Sequence, residues 1–309
     1  MPWCRMYQKN SERIIVNGAN GVLGRVLLTK LSPNYAVAAA RRATLGFPSF
    51  VLVPSDGEAS AQSLKGIHAI INCAGLVKGS RSEIWQANVE HPVRLAEIAK
   101  AAGVRKFIQL SSFSVFGQCE HINSDTKFGP VSDYGKSKLA AEQQLLKLNA
   151  TNFNVTVLRV PFMFGVQNHA MMGSLINALK RFPFFPISCP TAYRSILTYS
   201  DAAELLIQAT RSNKSMVRTV ADPQLFSVVL LAKLMNKDGL RSARLLGVPS
   251  FAVNASRIVA PRLAERLFGG NILLPEFNWA SDVDLKTGIF NEIGNILSTT
   301  RLNGSVKSK

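Results

Sequence analysis

The sequence has no apolar run long enough to cross a lipid bilayer. Stretches such as 225–235 fall well short of the roughly 18 uninterrupted apolar residues that a spanning helix needs. The opening residues, MPWCRMYQKNSER, are polar and lack the apolar segment of a secretory signal. We therefore expect no integral membrane span and a cytoplasmic location.

Cysteine and histidine are scarce, with four of each among 309 residues. The cysteines are separated by tens of residues, and neither residue type shows a CxxC or HxxxH spacing. Metal sites and disulfide frameworks are typically recognised by such spacings. We therefore expect no metal site and no disulfide framework.

Acidic residues are also few, because 19 Asp and Glu stand against 36 Lys and Arg and leave a net charge of +17. The basic excess is spread along the chain, without a run of five like charges or a basic stretch interleaved with aromatic residues. Nucleic-acid-binding proteins cluster their positive charge, so we expect no nucleic acid partner. A diffuse positive field suits a small phosphate-bearing substrate better.

Short apolar runs alternate with helical patterns through the first half of the chain. Predicted strands are Arg13–Asn17, Ala36–Ala40, Ser49–Val53, Ala69–Cys73, Phe107–Ser111 and Val155–Val160, and predicted helices include Val22–Leu31, Ser82–Ala102 and Tyr134–Asn149. This alternation predicts an α/β fold with a doubly wound parallel sheet of the Rossmann type. After Pro161 the pattern loosens, and the segment FPFFPISCP at 182–190 predicts a proline-rich loop.

The change of pattern near residue 160 predicts two domains. Residues 1–160 form the expected nucleotide-binding Rossmann domain, to which 194–210 returns with a strand and a helix. Residues 161–193 and 211–300 form a smaller, mixed C-terminal substrate domain, and 301–309 is a polar tail.

The first predicted strand leads into a glycine-rich turn, Gly18-Ala-Asn-Gly21-Val-Leu-Gly24, at the start of a helix. Glycines in this context let backbone N–H groups approach a pyrophosphate, whose charge a helix N-terminus favours. The second predicted strand ends in Arg41 and Arg42, where a carboxylate would select NAD. Two cations there favour the 2′-phosphate of NADP, with NAD as the alternative.

Tyr134 and Lys138 lie four residues apart on one predicted helix face. An ammonium group near a tyrosine lowers its pKa and makes it a usable proton donor and acceptor. Ser112, at the end of the predicted strand FIQLSS, faces the crevice where such sheets bind ligands. Its hydroxyl is placed to hydrogen-bond a substrate carbonyl beside the tyrosine.

These signals resemble the extended short-chain dehydrogenase/reductase family of nucleotide-sugar epimerases, dehydratases and reductases. The resemblance also covers Asn72-Cys-Ala-Gly75, Ser111-Ser-Phe-Ser-Val-Phe-Gly117, LRVPFMFG at 158–165 and YRSILTYSDAA at 193–203. It implies that Ser112, Tyr134 and Lys138 are catalytic and that Arg194 contacts the nucleotide diphosphate. The implied cofactor contacts are Gly18, Asn20, Gly21, Leu23, Gly24, Arg41, Arg42, Ala74, Tyr134 and Lys138.

The resemblance has two further implications. Asp56 is the candidate for the family aspartate that follows the third strand and contacts adenine. A homodimer through helices that include 134–149 is expected by analogy.

Differences between this sequence and the family motifs reduce the number of reactions that the resemblance allows. Dehydratases place Asp-Glu directly after the catalytic hydroxyl residue, whereas this chain has Phe113-Ser114. Epimerases of the UDP-galactose type carry an asparagine where this chain has Pro161-Phe162. We therefore predict NADP-dependent reduction of a keto group, at C4, of a nucleotide-diphosphate sugar for surface polysaccharide or a related glycan. The alternatives are a UDP-sugar 4-epimerase and a non-catalytic NADPH-binding or assembly subunit.

Overall fold

The computed structural model describes residues 13–33, 36–39, 49–50, 64–165, 170–259, 270–278 and 288–305. Arg41, Arg42 and Asp56, which the sequence singled out, lie outside these residues. None of the helices within the described ranges is both long and apolar enough to span a membrane.

The described strands and helices follow the alternation that the sequence predicts. The strands are β1 (Arg13–Asn17), β2 (Ala36–Ala39), β3 (Ser49–Phe50), β4 (Ile67–Asn72), β5 (Lys106–Ser112), β6 (His121–Ile122), β7 (Asn154–Val160), β8 (Phe162–Phe164), β9 (Phe184–Cys189), β10 (Ile196–Thr198), β11 (Met216–Thr219), β12 (Arg244–Pro249) and β13 (Ile272–Leu273). The α-helices are α1 (Val22–Lys30), α2 (Arg81–Trp85), α3 (His91–Ala101), α4 (Asp133–Leu146), α5 (Ala170–Arg181), α6 (Tyr199–Ala209), α7 (Val228–Lys237), α8 (Ser250–Val259) and α9 (Ile289–Ser305).

The largest sheet has seven strands in the order β11-β7-β5-β4-β1-β2-β3. β1 pairs in parallel with β2 on one side and with β4 on the other, and β4 pairs in parallel with β5. The strands that follow β1 in the chain are therefore added first on one side of it, as β2 and β3, and then on the other side, beginning with β4 and β5. Such a reversal opens a crevice at the carboxyl ends of β1 and β4, which is where doubly wound sheets bind ligands.

The chain forms two compact units. The first comprises the described residues of Met1–Gly117, Gly129–Arg159 and Ala202–Arg218, and the second those of Gln118–Phe128, Val160–Asp201 and Thr219–Lys309. The segment that rejoins the first unit is thus Ala202–Arg218, where the sequence suggested 194–210. That one unit holds the cofactor and the other the substrate stays a prediction.

The core of the first unit consists of strand side chains packed against helices. Ile15, Ile70 and Phe107 from three neighbouring strands are fully buried, together with Ala96 and Leu145 from α3 and α4. Parallel strands covered on both faces are apolar along their length, and β4 shows this with only His68 half-buried. This packing gives the strand ends fixed positions, from which the candidate site is built.

The second unit has a separate apolar core and short parallel strand pairs. Its buried residues include Phe164, Ile176, Leu231 and Ile293. β9 pairs in parallel with β12, so the prediction of a proline-rich loop at 182–190 is wrong for residues 184–189. Helix α9 continues to Ser305, so residues 301–305 belong to a helix and not to the predicted tail.

Candidate active site

The glycine-rich turn brings three backbone segments into close contact. Gly18 follows β1 with a φ of +87°, and a Cβ on it would lie 2.7 Å from the backbone nitrogen of Ala74. A Cβ on Gly24 would lie 2.3 Å from the carbonyl oxygen of Gly18. Only glycine satisfies both positions, because any side chain would collide with backbone atoms. The turn, α1 and the loop after β4 therefore meet at the crevice.

This turn suits the pyrophosphate of a dinucleotide. Helix α1 starts directly after Gly21, spans nine residues and has no acidic side chain in its first turn. Its first backbone N–H groups are consequently available to an anion, which the helix dipole also favours. Arg25 donates from Nε to the carbonyl oxygen of Asn20 at 3.0 Å, which braces the turn. Within this segment Asn20 is exposed and Leu23 is buried.

Ser112 and Tyr134 are brought together by a strand end and a helix start. Ser112 is the last residue of β5, and its Oγ accepts a hydrogen bond from the Ser114 backbone nitrogen at 3.1 Å. Ser132 caps α4 by accepting from the Gly135 backbone nitrogen at 3.0 Å, which places Tyr134 in the first helical turn. Burial raises the pKa of Tyr134, and a hydrogen bond with Ser112 partly opposes that rise.

Lys138 lies one helical turn beyond Tyr134. Its Nζ is 5.7 Å from the centroid of the Tyr134 ring and donates to the carbonyl oxygen of Leu110 at 3.0 Å. Burial lowers the pKa of Lys138 to about 8, while Cys73 and Glu142 oppose this fall. We expected the lysine to lower the pKa of Tyr134. That expectation is wrong, because the pKa of Tyr134 is raised overall. Burial of the phenol raises it by more than the neighbouring groups that favour the phenolate lower it.

Asn88 is a site residue that the sequence reasoning missed. It lies in a π-helical turn, Gln86–Glu90, between α2 and α3. Its side chain accepts from the Leu76 backbone nitrogen and donates to the Leu76 carbonyl oxygen, both at 2.8 Å, and donates to Ser137 Oγ at 3.0 Å. Asn88 thereby joins the loop after β4 to the helix that carries Lys138. A π-helical turn is frequent at functional sites, but a single sequence does not reveal it.

A row of three side-chain amides, one half-buried and two buried, crosses strands β1, β4 and β5. Asn17 donates to Asn72, and Asn72 donates to Gln109, each at 2.8 Å. Gln109 donates in turn to the Leu110 carbonyl oxygen at 2.9 Å, the same acceptor that Lys138 uses. Each amide ends or interrupts an apolar strand run, which was the available sequence signal. The row fixes the spacing of β1, β4 and β5 below the crevice.

Arg194 and a cavity belong to the second unit. The backbone of Arg194 pairs with that of Phe226 through hydrogen bonds of 3.0 and 2.9 Å. The neighbouring Tyr193 lines a cavity of about 430 Å³, together with polar residues that include Ser188, Ser250, Asn254 and Asn271. Among the residues with described positions, no three His, Cys, Asp or Glu side chains are grouped to hold a metal ion.

Comparison with known sequences gives one family match and several distant relatives. The model described as "NAD dependent epimerase/dehydratase family" matches residues 14–220. The chain is 25% identical over 223 residues to UDP-glucose 4-epimerase of Vibrio cholerae, covering 66% of this chain and 68% of the relative. It is 30% identical over 143 residues to dTDP-4-dehydrorhamnose reductase of Mycolicibacterium smegmatis, covering 44% and 42%.

A third kind of relative is Methionine adenosyltransferase 2 subunit beta of Pongo abelii, with 30% identity over 175 residues that cover 52% of this chain and 51% of the relative. The chain therefore spans about half or less of the length of the reductase and subunit relatives.

Solved structures share the fold at low sequence identity. MoeE5 in complex with UDP-glucose and NAD has a TM-score of 0.73 and 23% identity, covering 94% of this chain and 99% of that one. The dTDP-4-dehydrorhamnose reductase of Bacillus anthracis in complex with NADP has a TM-score of 0.68 and 19% identity, covering 95% and 100%. These similarities show the Rossmann-type fold.

Proposed function

Because the chain belongs to the NAD dependent epimerase/dehydratase family, which indicates an NAD(P)-dependent oxidoreductase-type enzyme, we propose that it uses NADPH to reduce a keto group of a nucleotide sugar. The expected position is C4 of the sugar. Relatives with both epimerase and reductase names exist, so the family alone leaves the reaction open between these two.

One observation carries the proposal. At the carboxyl end of β5, the Ser112 hydroxyl favours the ionised form of Tyr134 and so opposes the rise in its pKa, and Lys138 Nζ lies 5.7 Å from the centroid of the Tyr134 ring. The residues that follow Ser112 are Phe113 and Ser114, so this segment adds no carboxylate to the pair. A pair of hydroxyls beside a cation can protonate and orient a carbonyl oxygen, but it lacks the extra acid and base that elimination of water requires.

The bound NADPH would supply the hydride equivalent to the keto carbon. Gly18, Gly21 and Gly24 are the proposed pyrophosphate contacts, because the absence of side chains lets an anion approach the backbone at the start of α1. The N–H groups of Gly18 and Gly21 themselves donate to the carbonyl oxygens of Ala39 and Gly18, so the proposed donors to the anion are the first N–H groups of α1. Ala74 adjoins this turn, and Tyr134 and Lys138 are the proposed neighbours of the nicotinamide ribose. Arg41 and Arg42 would pair with the 2′-phosphate and so favour NADP over NAD.

Each catalytic side chain has a separate role in this proposal. Tyr134 gives its phenolic proton to the keto oxygen as the carbon receives the hydride, which leaves an alcohol and a phenolate. Ser112 holds the same oxygen by a hydrogen bond. Lys138 stabilises the phenolate until a proton from solvent restores the phenol. The raised pKa of Tyr134 keeps it protonated at neutral pH, as a proton donor must be.

The proposed binding site for the nucleotide of the substrate lies in the second unit. The cavity beside Tyr193 has a volume within the range of small-molecule sites, and amide and hydroxyl groups line it. Such groups can hydrogen-bond a base and ribose. We assign the diphosphate to Arg194, since a guanidinium binds phosphate oxygens through two parallel hydrogen bonds.

Two other functions are supported by specific relatives. The epimerase alternative rests on the Vibrio cholerae relative and would remove and return hydride at C4 without net use of cofactor. The assembly-subunit alternative rests on the relatives named as a subunit of an adenosyltransferase. Retention of both Tyr134 and Lys138 favours an active enzyme over the latter.

The test incubates the purified protein with NADPH and a panel of UDP-4-keto-sugars and ordinary UDP-sugars. Loss of NADPH absorbance is compared with the product formed, which mass spectrometry identifies. We expect one NADPH oxidised for each keto-sugar converted. Interconversion of 4-epimers without loss of absorbance would establish the epimerase instead, and NADPH binding without conversion of any sugar would favour the subunit.

A further inference from the structure

A buried ion pair between Glu142 and Arg159 involves the helix that carries Tyr134 and Lys138. The side chains of Glu142 and Arg159 are 2% and 9% exposed, and Arg159 Nη2 is 2.6 Å from Glu142 Oε2. The guanidinium also donates from Nε to both carboxylate oxygens, at 3.0 and 3.2 Å. A third partner is Ser111, whose Oγ donates to Glu142 Oε1. All three residues belong to the first unit.

The trio connects the elements that carry the candidate catalytic residues. Ser111 precedes Ser112 on β5, while Glu142 lies one turn beyond Lys138 and two turns beyond Tyr134 on α4. Residues four apart along a helix share one face. One carboxylate therefore ties the strand that ends in Ser112 to the helix face that presents Tyr134 and Lys138.

The ion pair also reaches the segment that follows Ser112. The guanidinium carbon of Arg159 is 5.3 Å from the centroid of the Phe116 ring, within cation–π distance. Phe116 ends the 3₁₀ turn Phe113–Val115. Arg159 on β7 thus contacts both the Glu142 carboxylate and the chain immediately beyond the catalytic serine.

Stability alone is a weak reason to keep such a pair. Removing two charges from water costs about as much as their attraction returns, and apolar residues of similar volume are often as stable or more so. What the pair offers over apolar residues is directional geometry, since a two-point guanidinium contact and a hydroxyl bond fix the carboxylate in one place.

We propose that Glu142 is a positioning residue, which holds α4 against β5 through Ser111 and Arg159 so that Tyr134 stays in register with Ser112. This role rests on the proposed function, because it assigns Tyr134 as the proton donor. Displacement of a reacting group by about 1 Å can cost on the order of 100-fold in rate. Loosening this contact should therefore reduce turnover without removing any group that touches the substrate.

The first test uses Glu142→Asp and Ser111→Ala, both of which keep the charge of the site. The shorter side chain of Asp at position 142 should not reach both Ser111 and Arg159. Ala at position 111 removes the hydroxyl through which β5 contacts Glu142. We expect kcat per folded molecule to fall at least tenfold in each variant, with NADPH affinity within about twofold of wild type. The matched control is Glu97→Asp, in an exposed pair with Arg94 at 3.5 Å, which should leave kcat unchanged.

The second test separates positioning from stability. Glu142→Leu combined with Arg159→Met replaces the pair by apolar side chains, so it should fold with a Tm near that of wild type. We nevertheless expect the same loss of kcat. Wild-type kcat in a stably folded double variant would overturn the proposal, and so would charge-preserving variants that lose Tm but not kcat.

A third measurement does not depend on turnover. The chain has five tyrosines, so ultraviolet titration of each protein against its Tyr134→Phe counterpart isolates Tyr134. The Ser112 hydrogen bond lowers the pKa of Tyr134, and its loosening in Glu142→Asp should raise that pKa. An unchanged Tyr134 titration would refute the positioning role, whereas wild-type protein that converts no sugar would instead refute the proposed function.

Discussion

At the scale of single residues, burial sets the chemistry of the candidate site. The phenol of Tyr134 and the ammonium of Lys138 are both withdrawn from water, so burial favours the neutral form of each. For Tyr134 this preserves the proton that the proposed reduction requires. For Lys138 it brings loss of the proton within reach of mildly alkaline pH. The Leu110 carbonyl oxygen orients the Lys138 ammonium by a hydrogen bond, and the Ser112 hydroxyl partly opposes the rise in the pKa of Tyr134.

Tyr134→Phe tests the proton donor. The ring should still pack, and only the transferred proton is lost, so kcat should fall at least 100-fold while the dissociation constant for NADPH stays nearly unchanged. Steady-state turnover and fluorescence titration with NADPH measure the two quantities. If the variant keeps more than about a tenth of the wild-type rate, a different residue protonates the sugar.

Lys138→Met tests the cost of burying the ammonium. Lys138 has a pKa of about 8 in the folded protein against an ordinary value of 10.5, so between these two pH values the unfolded chain binds one more proton than the folded chain. The free energy of unfolding of wild type should therefore rise with pH across this window, relative to Lys138→Met, by about 3 kcal/mol. Denaturant unfolding of both proteins at either end of the window measures it. A constant difference between them would show that Lys138 titrates alike in both states.

At the scale of elements, the site depends on how closely one turn, one helix and one loop approach each other. Gly24 lies inside α1, where alanine would ordinarily be the better helix former. Its neighbour is a backbone carbonyl oxygen, which cannot move aside as a flexible side chain could. The close approach of helix and turn is therefore specific to glycine, and it sets where the helix N-terminus points.

Gly24→Ala should destabilise the protein and weaken NADPH binding at least tenfold, because the added Cβ would lie 2.3 Å from the Gly18 oxygen. The matched control is Gly294→Ala in α9, where a Cβ meets nothing within 4 Å. That change should stabilise by about 0.4 to 1 kcal/mol and leave binding unaltered. Thermal unfolding and NADPH titration measure both effects. Equal behaviour of the two variants would contradict the tight packing of the turn.

At the scale of the whole molecule, the family match and the two units explain why the reaction is harder to assign than the fold. The family match ends at residue 220, whereas the last segment of the second unit is Thr219–Lys309. The family match therefore does not cover most of that segment. The first unit carries the serine, tyrosine and lysine that epimerases and reductases share in the proposed mechanism. In the proposed function the second unit selects the substrate, and the net charge of +17 favours anionic substrates without distinguishing among them.

The sequence by itself determined the class of fold and supplied the candidate catalytic residues, whose roles stay a prediction. Strand β1 has the predicted bounds Arg13–Asn17, because hydrophobic runs between turn signals are local patterns. The glycine spacing and the four-residue separation of Tyr134 and Lys138 are local in the same way. Such features are written in consecutive residues and need no knowledge of distant neighbours.

Only the tertiary structure decided what surrounds those residues. β9 forms in a proline-rich segment because Arg244–Pro249, about 60 residues later, pairs with it. The contacts of Asn88 with Leu76 and Ser137, and of Glu142 with Ser111 and Arg159, join positions that are between 12 and 49 residues apart in the chain. The direction of the Tyr134 pKa shift also follows from burial, which packing alone creates. Long-range packing sets all of these, since it brings together side chains that no local pattern pairs.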